Sequence, residues 1–237
     1  MIHFENITLA YGQRTILREA SLHLDAGRLY VLVGRNGAGK STLLRALTSR
    51  GDIRINGTLR GDMSAEEVAR NVAIVTTEAV RVENLRVEEL VAMGRAPYTD
   101  WTGRMQESDR RIVREAIEAV GMADFIGRDS SSLSDGERQR IMVARAIAQQ
   151  TPIILLDEPT AFLDIPTRFS LCRLLQRLAH EQKKCILFST HDIDAALPAC
   201  DEVVVIENEQ LNIVERCAAT EYLSHLFGLD EASKEEW

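Results

Sequence analysis

The chain has 237 residues, 45% of them hydrophobic, and a formal net charge of -8 at pH 7. That length can bury one large core, or one core with an attached subdomain. The acidic balance, with a pI near 5.3, argues against a broad nucleic-acid surface, so no nucleic-acid partner is expected. Cys172, Cys185, Cys200 and Cys217 are widely spaced without a C-x-x-C pair. They read as reduced, mostly buried thiols, not as a zinc site or a disulfide framework. The first residues lack a signal peptide's basic segment and apolar core, and polar residues break the apolar runs before about 18 residues. No membrane span is expected, although the chain can still sit against a membrane protein.

In chain order, residues 2–10 and 20–26 are short alternating runs split by Tyr11-Gly12-Gln13-Arg14, which predicts an antiparallel β-layer. The apolar run Leu29–Val33 leads into Gly34-Arg35-Asn36-Gly37-Ala38-Gly39-Lys40-Ser41-Thr42, and Leu43–Leu47 continues as a helix. Residues 53–59 alternate around Asn56-Gly57, a hairpin signal. Residues 63–67 predict a capped helical turn and Val72–Val75 a buried strand. From about residue 86 the period becomes helical: Val87–Gly94, cut by Pro97, then a helix with Ile112, Val113, Ala116, Ile117 and Val120 on one face, stopped by Gly121. Phe125 and Ile126 are expected to start a third short helical piece. Gly136–Gln149 is a helix, Ile153–Leu156 a buried strand, and Leu171, Leu174, Leu175 and Leu178 line the next helix. Cys185–Ser189 is another buried strand, a short helix covers Ile193–Leu197, and residues 203–214 form a closing hairpin. Buried strands alternating with helices indicate an α/β fold with a mostly parallel sheet covered on both faces. The acidic tail, Glu231–Trp237, is expected to fray.

Three constellations carry chemistry. Strand, G-x-x-x-x-G-K-S turn and helix together make a phosphate-binding loop: glycines curl the backbone until its N–H groups point into one hollow at a helix N-terminus. Lys40 can reach the β- and γ-phosphates of ATP or GTP, and the Ser41 hydroxyl can ligate Mg²⁺. Asp157 and Glu158 end a buried strand, where parallel sheets place ligands; Asp157 suits Mg²⁺ and Glu158 suits a general base for water. His191, after the neighbouring strand, can sense a γ-phosphate. Finally, Ser134 and Gly136 open a helix within Leu133-Ser134-Asp135-Gly136-Glu137, a second anion receptor that can serve the nucleotide of another subunit.

This ordered set resembles the nucleotide-binding subunit of ATP-binding cassette (ABC) transporters, over residues 1–216. The Walker A motif would be Gly34–Thr42, the signature Leu133–Glu137, and Walker B Ile153–Asp157 with Glu158. The D-loop would be Ala161-Phe162-Leu163-Asp164, the switch histidine His191, and Tyr11 the ring that stacks on adenine. The resemblance implies a P-loop NTPase core with an antiparallel β-subdomain (1–85 and 133–216), an inserted helical subdomain (86–132) and a C-terminal helix and tail (217–237). It further implies a head-to-tail homodimer sandwiching two ATPs, with Gly34, Asn36, Gly37, Ala38, Gly39, Lys40, Ser41 and Thr42 of one subunit facing Ser134 and Gly136 of the other. Mg²⁺ would be held by Ser41 and Asp157, and Asp164 would help place the water. A multi-span permease would dock near Pro97, Tyr98 and Trp101, an exposed aromatic and proline cluster, with a substrate-binding protein as an indirect partner. The chain would lie at the cytoplasmic face of the inner membrane. Residues 87–98 and 155–165 are similar to the subfamily that imports iron–siderophore complexes, haem and vitamin B12.

The sequence departs from the pattern where Thr76-Thr77-Glu78 replaces the usual Pro-Gln, leaving Thr77 at the Mg²⁺-contacting position. Asp135 and Glu137 also replace the signature's first Gly and its Gln, the second Gly being kept as Gly136. Two alternatives stay open: an ABC-type ATPase without a permease, and a slow-turnover nucleotide-gated regulator.

Overall fold

The computed structural model describes residues 1–77, 85–99 and 104–228. A six-stranded sheet forms its centre in the order β10-β9-β3-β8-β7-β6. These strands are β3 (Arg28–Gly34), β6 (Val72–Val75), β7 (Ile153–Leu156), β8 (Cys185–Ser189), β9 (Glu202–Glu207) and β10 (Gln210–Glu215). All pairings are parallel except β9 with β10, the closing hairpin the alternation predicts.

The continuous apolar runs have a simple cause: each inner strand buries both faces, and its period of two splits its residues between two cores. Leu29, Val31, Val33, Leu156 and Phe188 enter one core, with Leu133, Ile141 and Leu175. Tyr30, Leu32, Leu155 and Leu187 enter the other, with Leu43, Leu44 and Leu47. The second core is closed by the smaller antiparallel sheet β2-β1-β4-β5. Its strands are β1 (Ile2–Tyr11), β2 (Arg14–Leu24), β4 (Arg54–Ile55) and β5 (Thr58–Leu59), and α1 (Lys40–Ser49) lies between the layers' chains. β1 and β2 are longer than the alternation predicts, because register shifts between Phe4 and Ala10 break the alternation without ending the pairing.

One helix, α2 (Ala65–Asn71), precedes β6, and α3 (Val87–Ala92), α4 (Glu107–Ala119) and α5 (Asp135–Ala148) lie between β6 and β7. Ser64 and Glu67 make the capping box that starts α2. Two expectations are corrected here. Pro97 does not cut the helix off; the chain tightens into a 3-10 turn over Met93–Tyr98 that contains it, a geometry that tolerates the missing N–H. Phe125 ends a 3-10 turn, Ala123–Phe125, instead of starting a helix. The segment is fastened to α4 by the buried pair Arg95–Asp109, Nε to Oδ1 2.9 Å, and to α5 by the same guanidinium, which donates to the Ala148 carbonyl at 2.9 Å. After β7 come α6 (Ile165–Gln182), α7 (Ile193–Ala196) and α8 (Arg216–Phe227). Among the described residues no helix is long and apolar enough to cross a membrane. Cys172, Cys185 and Cys200 are buried free thiols, and Cys217 is exposed.

Candidate nucleotide site

β3 delivers the chain to the turn at residues 34–39, and α1 starts at Lys40 with Gly39 as its N-cap residue, in the left-handed region at φ 101°. A side chain there would also run into Ile16 Cγ2, so strain and the contact with β2 both demand glycine. Arg35 and Ala38 close the turn through a 2.9 Å hydrogen bond from the Ala38 N–H to the Arg35 carbonyl. Ser41 and Thr42 follow Lys40 in the first turn of α1, half-buried. Asn36 and Gly37 are exposed on the turn.

The Lys40 ammonium is buried and donates to the Gly34 carbonyl at 3.0 Å. It also lies 3.2 Å from His191 Nε2, and that same nitrogen lies 3.2 Å from Glu158 Oε1. A proton on Nε2 therefore favours Glu158, and a bare Nε2 accepts from Lys40. Burial pushes Glu158 above the ordinary carboxylate range, opposed by His191 and Lys40 and reinforced by Asp157. Burial also pulls Lys40 below the usual lysine range, opposed by Glu158 and Asp157. Glu158 stands at φ 50°, an uncommon conformation for a non-glycine residue.

Asp157 is buried, its Oδ1 accepting from Ser189 Oγ at 2.7 Å, while its Oδ2 is buried with no hydrogen-bond partner. A lone carboxylate oxygen in that setting fits Mg²⁺ or water bound to it. Ser189 also accepts from the Glu158 N–H at 2.9 Å. The sequence marks Ser189 only as the end of a strand, although its place two residues before His191, beside β7, is the signal that points to it. Arg14 is a second residue missed, its Nη1 coming within 3.5 Å of a Cβ built on Gly37. A third is Arg35, which donates to the Leu226 carbonyl at the end of α8 at 3.2 Å.

Ser134 caps α5, accepting from the Glu137 N–H at 3.3 Å and donating its hydroxyl to Glu137 Oε2 at 2.8 Å. Glu137 thus completes a capping box, and the Ser134 N–H holds its carboxyl below the usual range. Asp135 faces solvent. Gly136 is fixed by a neighbour, since a Cβ there would meet the Phe162 carbonyl at 2.7 Å. Asp164 caps α6, accepting from the Thr167 N–H at 3.0 Å. Tyr11 is 72% exposed at the end of β1, and Thr77 is exposed just beyond β6. The expectation of an exposed cluster is corrected at Pro97 and Tyr98, both half-buried. The Tyr98 ring lies 4.1 Å from the Arg95 guanidinium carbon and 5.5 Å from that of Arg70, cation–π contacts that draw it inward. Glu78, Trp101 and the acidic tail lie outside the described residues.

A parallel sheet that sets a glycine-rich loop, a buried lysine and a carboxylate pair at the C-terminal ends of its inner strands defines a P-loop nucleoside triphosphatase. The family model described as ABC transporter matches residues 17–161. The chain is 35% identical over 244 aligned positions to an uncharacterised ABC transporter ATP-binding protein of Methanocaldococcus jannaschii, covering 100% of this chain and 84% of that one. It is 37% identical over 197 residues to the iron(3+)-hydroxamate import ATP-binding protein of Bacillus subtilis, covering 81% of this chain and 73% of that one. Among solved structures, a dimeric post-hydrolysis ATP-binding cassette bound to ADP and Pi superimposes with a TM-score of 0.79 at 25% identity, over 91% of this chain and 99% of that one. The chain belongs to the ABC transporter family: it is an ATP-binding, ATP-hydrolysing cassette of importer type, closely related to siderophore and cobalamin import ATPases. ATP and Mg²⁺ binding are intrinsic to this fold, and two of its solved neighbours are dimeric.

Proposed function

We propose that this chain is the ATPase subunit of an importer for an iron complex, haem or cobalamin, working as a head-to-tail dimer beneath a separate permease at the cytoplasmic face of the membrane. The observation that carries the reading is the cluster of Lys40, Glu158 and His191, within 3.2 Å of one another's contacts, in a chain so similar to an iron(3+)-hydroxamate import ATPase. All residues belong to one ATPase domain, with the core at 1–85 and 133–216 and the helical insert at 86–132.

In this reading the Lys40 ammonium exchanges the Gly34 carbonyl and His191 for β- and γ-phosphate oxygens. Glu158, kept basic by its raised pKa, accepts the proton of the attacking water, and His191 moves its hydrogen bond to the γ-phosphate. Mg²⁺, when bound, neutralises charge on the phosphate oxygens; Asp157, Ser41 and Thr77 are its candidate holders. Ser134 and Gly136 meet the partner's ATP, Asp164 positions the water across the interface, and Tyr11 stacks on adenine. Pro97, Tyr98 and Trp101 mark the permease dock, half-buried as the first two are, and a substrate-binding protein delivers cargo.

The experiment is capture of a tagged Glu158→Gln protein with ATP from native membranes. A stoichiometric multi-span protein is the expected companion, and its sequence narrows the cargo. Recovery only as a homodimer from well-extracted membranes would transfer the chain to the cassette ATPases without a permease.

A further inference from the structure

His3 and His23 are directly opposed across β1 and β2, on the sheet that closes the second core. Their Nδ1 atoms face each other at 3.3 Å, with ring centroids 5.3 Å apart in an edge arrangement. Each ring's other nitrogen meets a carboxylate: His23 Nε2 lies 3.0 Å from Asp25 Oδ1, and His3 Nε2 lies 3.3 Å from Glu5 Oε1. A carboxylate at Nε2 keeps the proton there, which leaves Nδ1 as a bare lone pair. Two such lone pairs at this separation repel unless a cation lies between them.

We propose that His3 and His23 form a cross-strand chelate for a borderline divalent transition cation of the Zn²⁺, Ni²⁺ and Cu²⁺ class. Nitrogens 3.3 Å apart, each about 2.0–2.1 Å from a metal, subtend about 104–111° there, the angle a tetrahedral ion takes. Asp25 and Glu5 are the outer carboxylates that orient ligating imidazoles and raise their basicity. Among the described residues no group of three or more His, Cys, Asp or Glu side chains forms a ready-made cage, so water completes the coordination. Arg54 is aligned with His3 on β4 but donates to the Gly57 carbonyl at 3.1 Å, which turns its charge toward its own hairpin. Mg²⁺ prefers oxygen ligands, so the nucleotide's ion does not compete.

The test is calorimetric titration of the tag-free, chelator-stripped full chain with ZnCl₂ at neutral pH, beside thermal melts with and without the metal. One saturable equivalent per chain and a higher melting temperature are expected, with Cu²⁺ tighter than Zn²⁺ and MgCl₂ without effect at this site. His3→Ala and His23→Ala should each abolish the equivalent, and Asp25→Asn should weaken it by about 10- to 100-fold, all with ATPase activity unchanged. Absence of a saturable equivalent, or one that survives His23→Ala, overturns the proposal. A melting temperature that follows pH but ignores zinc also overturns it, because the pair would then share a proton.

Discussion

Glu158 carries its charge where burial resists it. Its folded-state pKa is raised, mainly by desolvation, so the ionised carboxylate costs the folded chain stability at neutral pH. The stability linked to this group is present in acid and is lost as pH rises through the folded pKa. Glu158→Gln should therefore raise the melting temperature of the nucleotide-free chain at neutral pH while lowering kcat by about 10²-fold or more, the usual weight of a general base. The same shift moves the acid limb of the wild-type pH–rate profile above the ordinary glutamate value of about 4.3; a limb at or below that value would count against Glu158 as the base. Ser189 serves both carboxyl-bearing residues at once. Ser189→Ala removes the hydroxyl that donates to the Asp157 carboxylate, and the expected result is weaker Mg²⁺ binding, measured as a higher half-saturating Mg²⁺ concentration for turnover with the fold intact.

At the scale of elements, the start of α5 shows how one departure from the family pattern is absorbed. Glu137 ties up the Ser134 hydroxyl and N–H in its own capping box, so the receptor is satisfied internally before any nucleotide arrives. Glu137→Gln keeps that box but removes a charge from the helix N-terminus. It should lower the KM for ATP roughly two- to fivefold, the effect of about 0.5–1 kcal/mol for one charge at a helix end. The starts of α2 and α5 were legible because Ser64 and Ser134 are capping residues with a Glu three positions on, a local signal; the same role of Asp164 at α6 appears only in the structure. The 3-10 turn that holds Pro97 is not legible in the sequence because its geometry depends on what the segment packs against: here Arg95, held by Asp109, with Tyr98 over it. Truncating Arg95 to Ala should cost about 3–5 kcal/mol by stranding Asp109, seen in denaturant melts.

The molecule as a whole reads well from sequence where its parts are contiguous and poorly where they meet. Continuous apolar strands alternating with helices pointed to the parallel sheet, though not to its two separate cores, and the motifs of the P-loop and of β7 announced themselves within a few residues. Nothing local, however, said that Ser189 would reach Asp157 from β8, that Ile16 would seal Gly39, or that Arg35 would hold the end of α8; each is a contact between distant segments. The same logic applies one level higher, because the proposed head-to-tail dimer would join Lys40 of one copy to Ser134 of the other. In such an assembly a Lys40→Ala chain still offers an intact Ser134, and a Ser134→Arg chain still offers an intact Lys40. Either variant alone should be inactive, every site in it carrying a lesion. Mixed in equal amounts, half of the dimers would be hybrids, and each hybrid would hold one site with both wild-type halves and one with both lesions. That restores about a quarter of the wild-type sites, and ATPase activity should return on mixing in proportion to how many hybrids form. A mixture that exchanges subunits yet stays as inactive as its parents would argue against Ser134 acting on the partner's ATP.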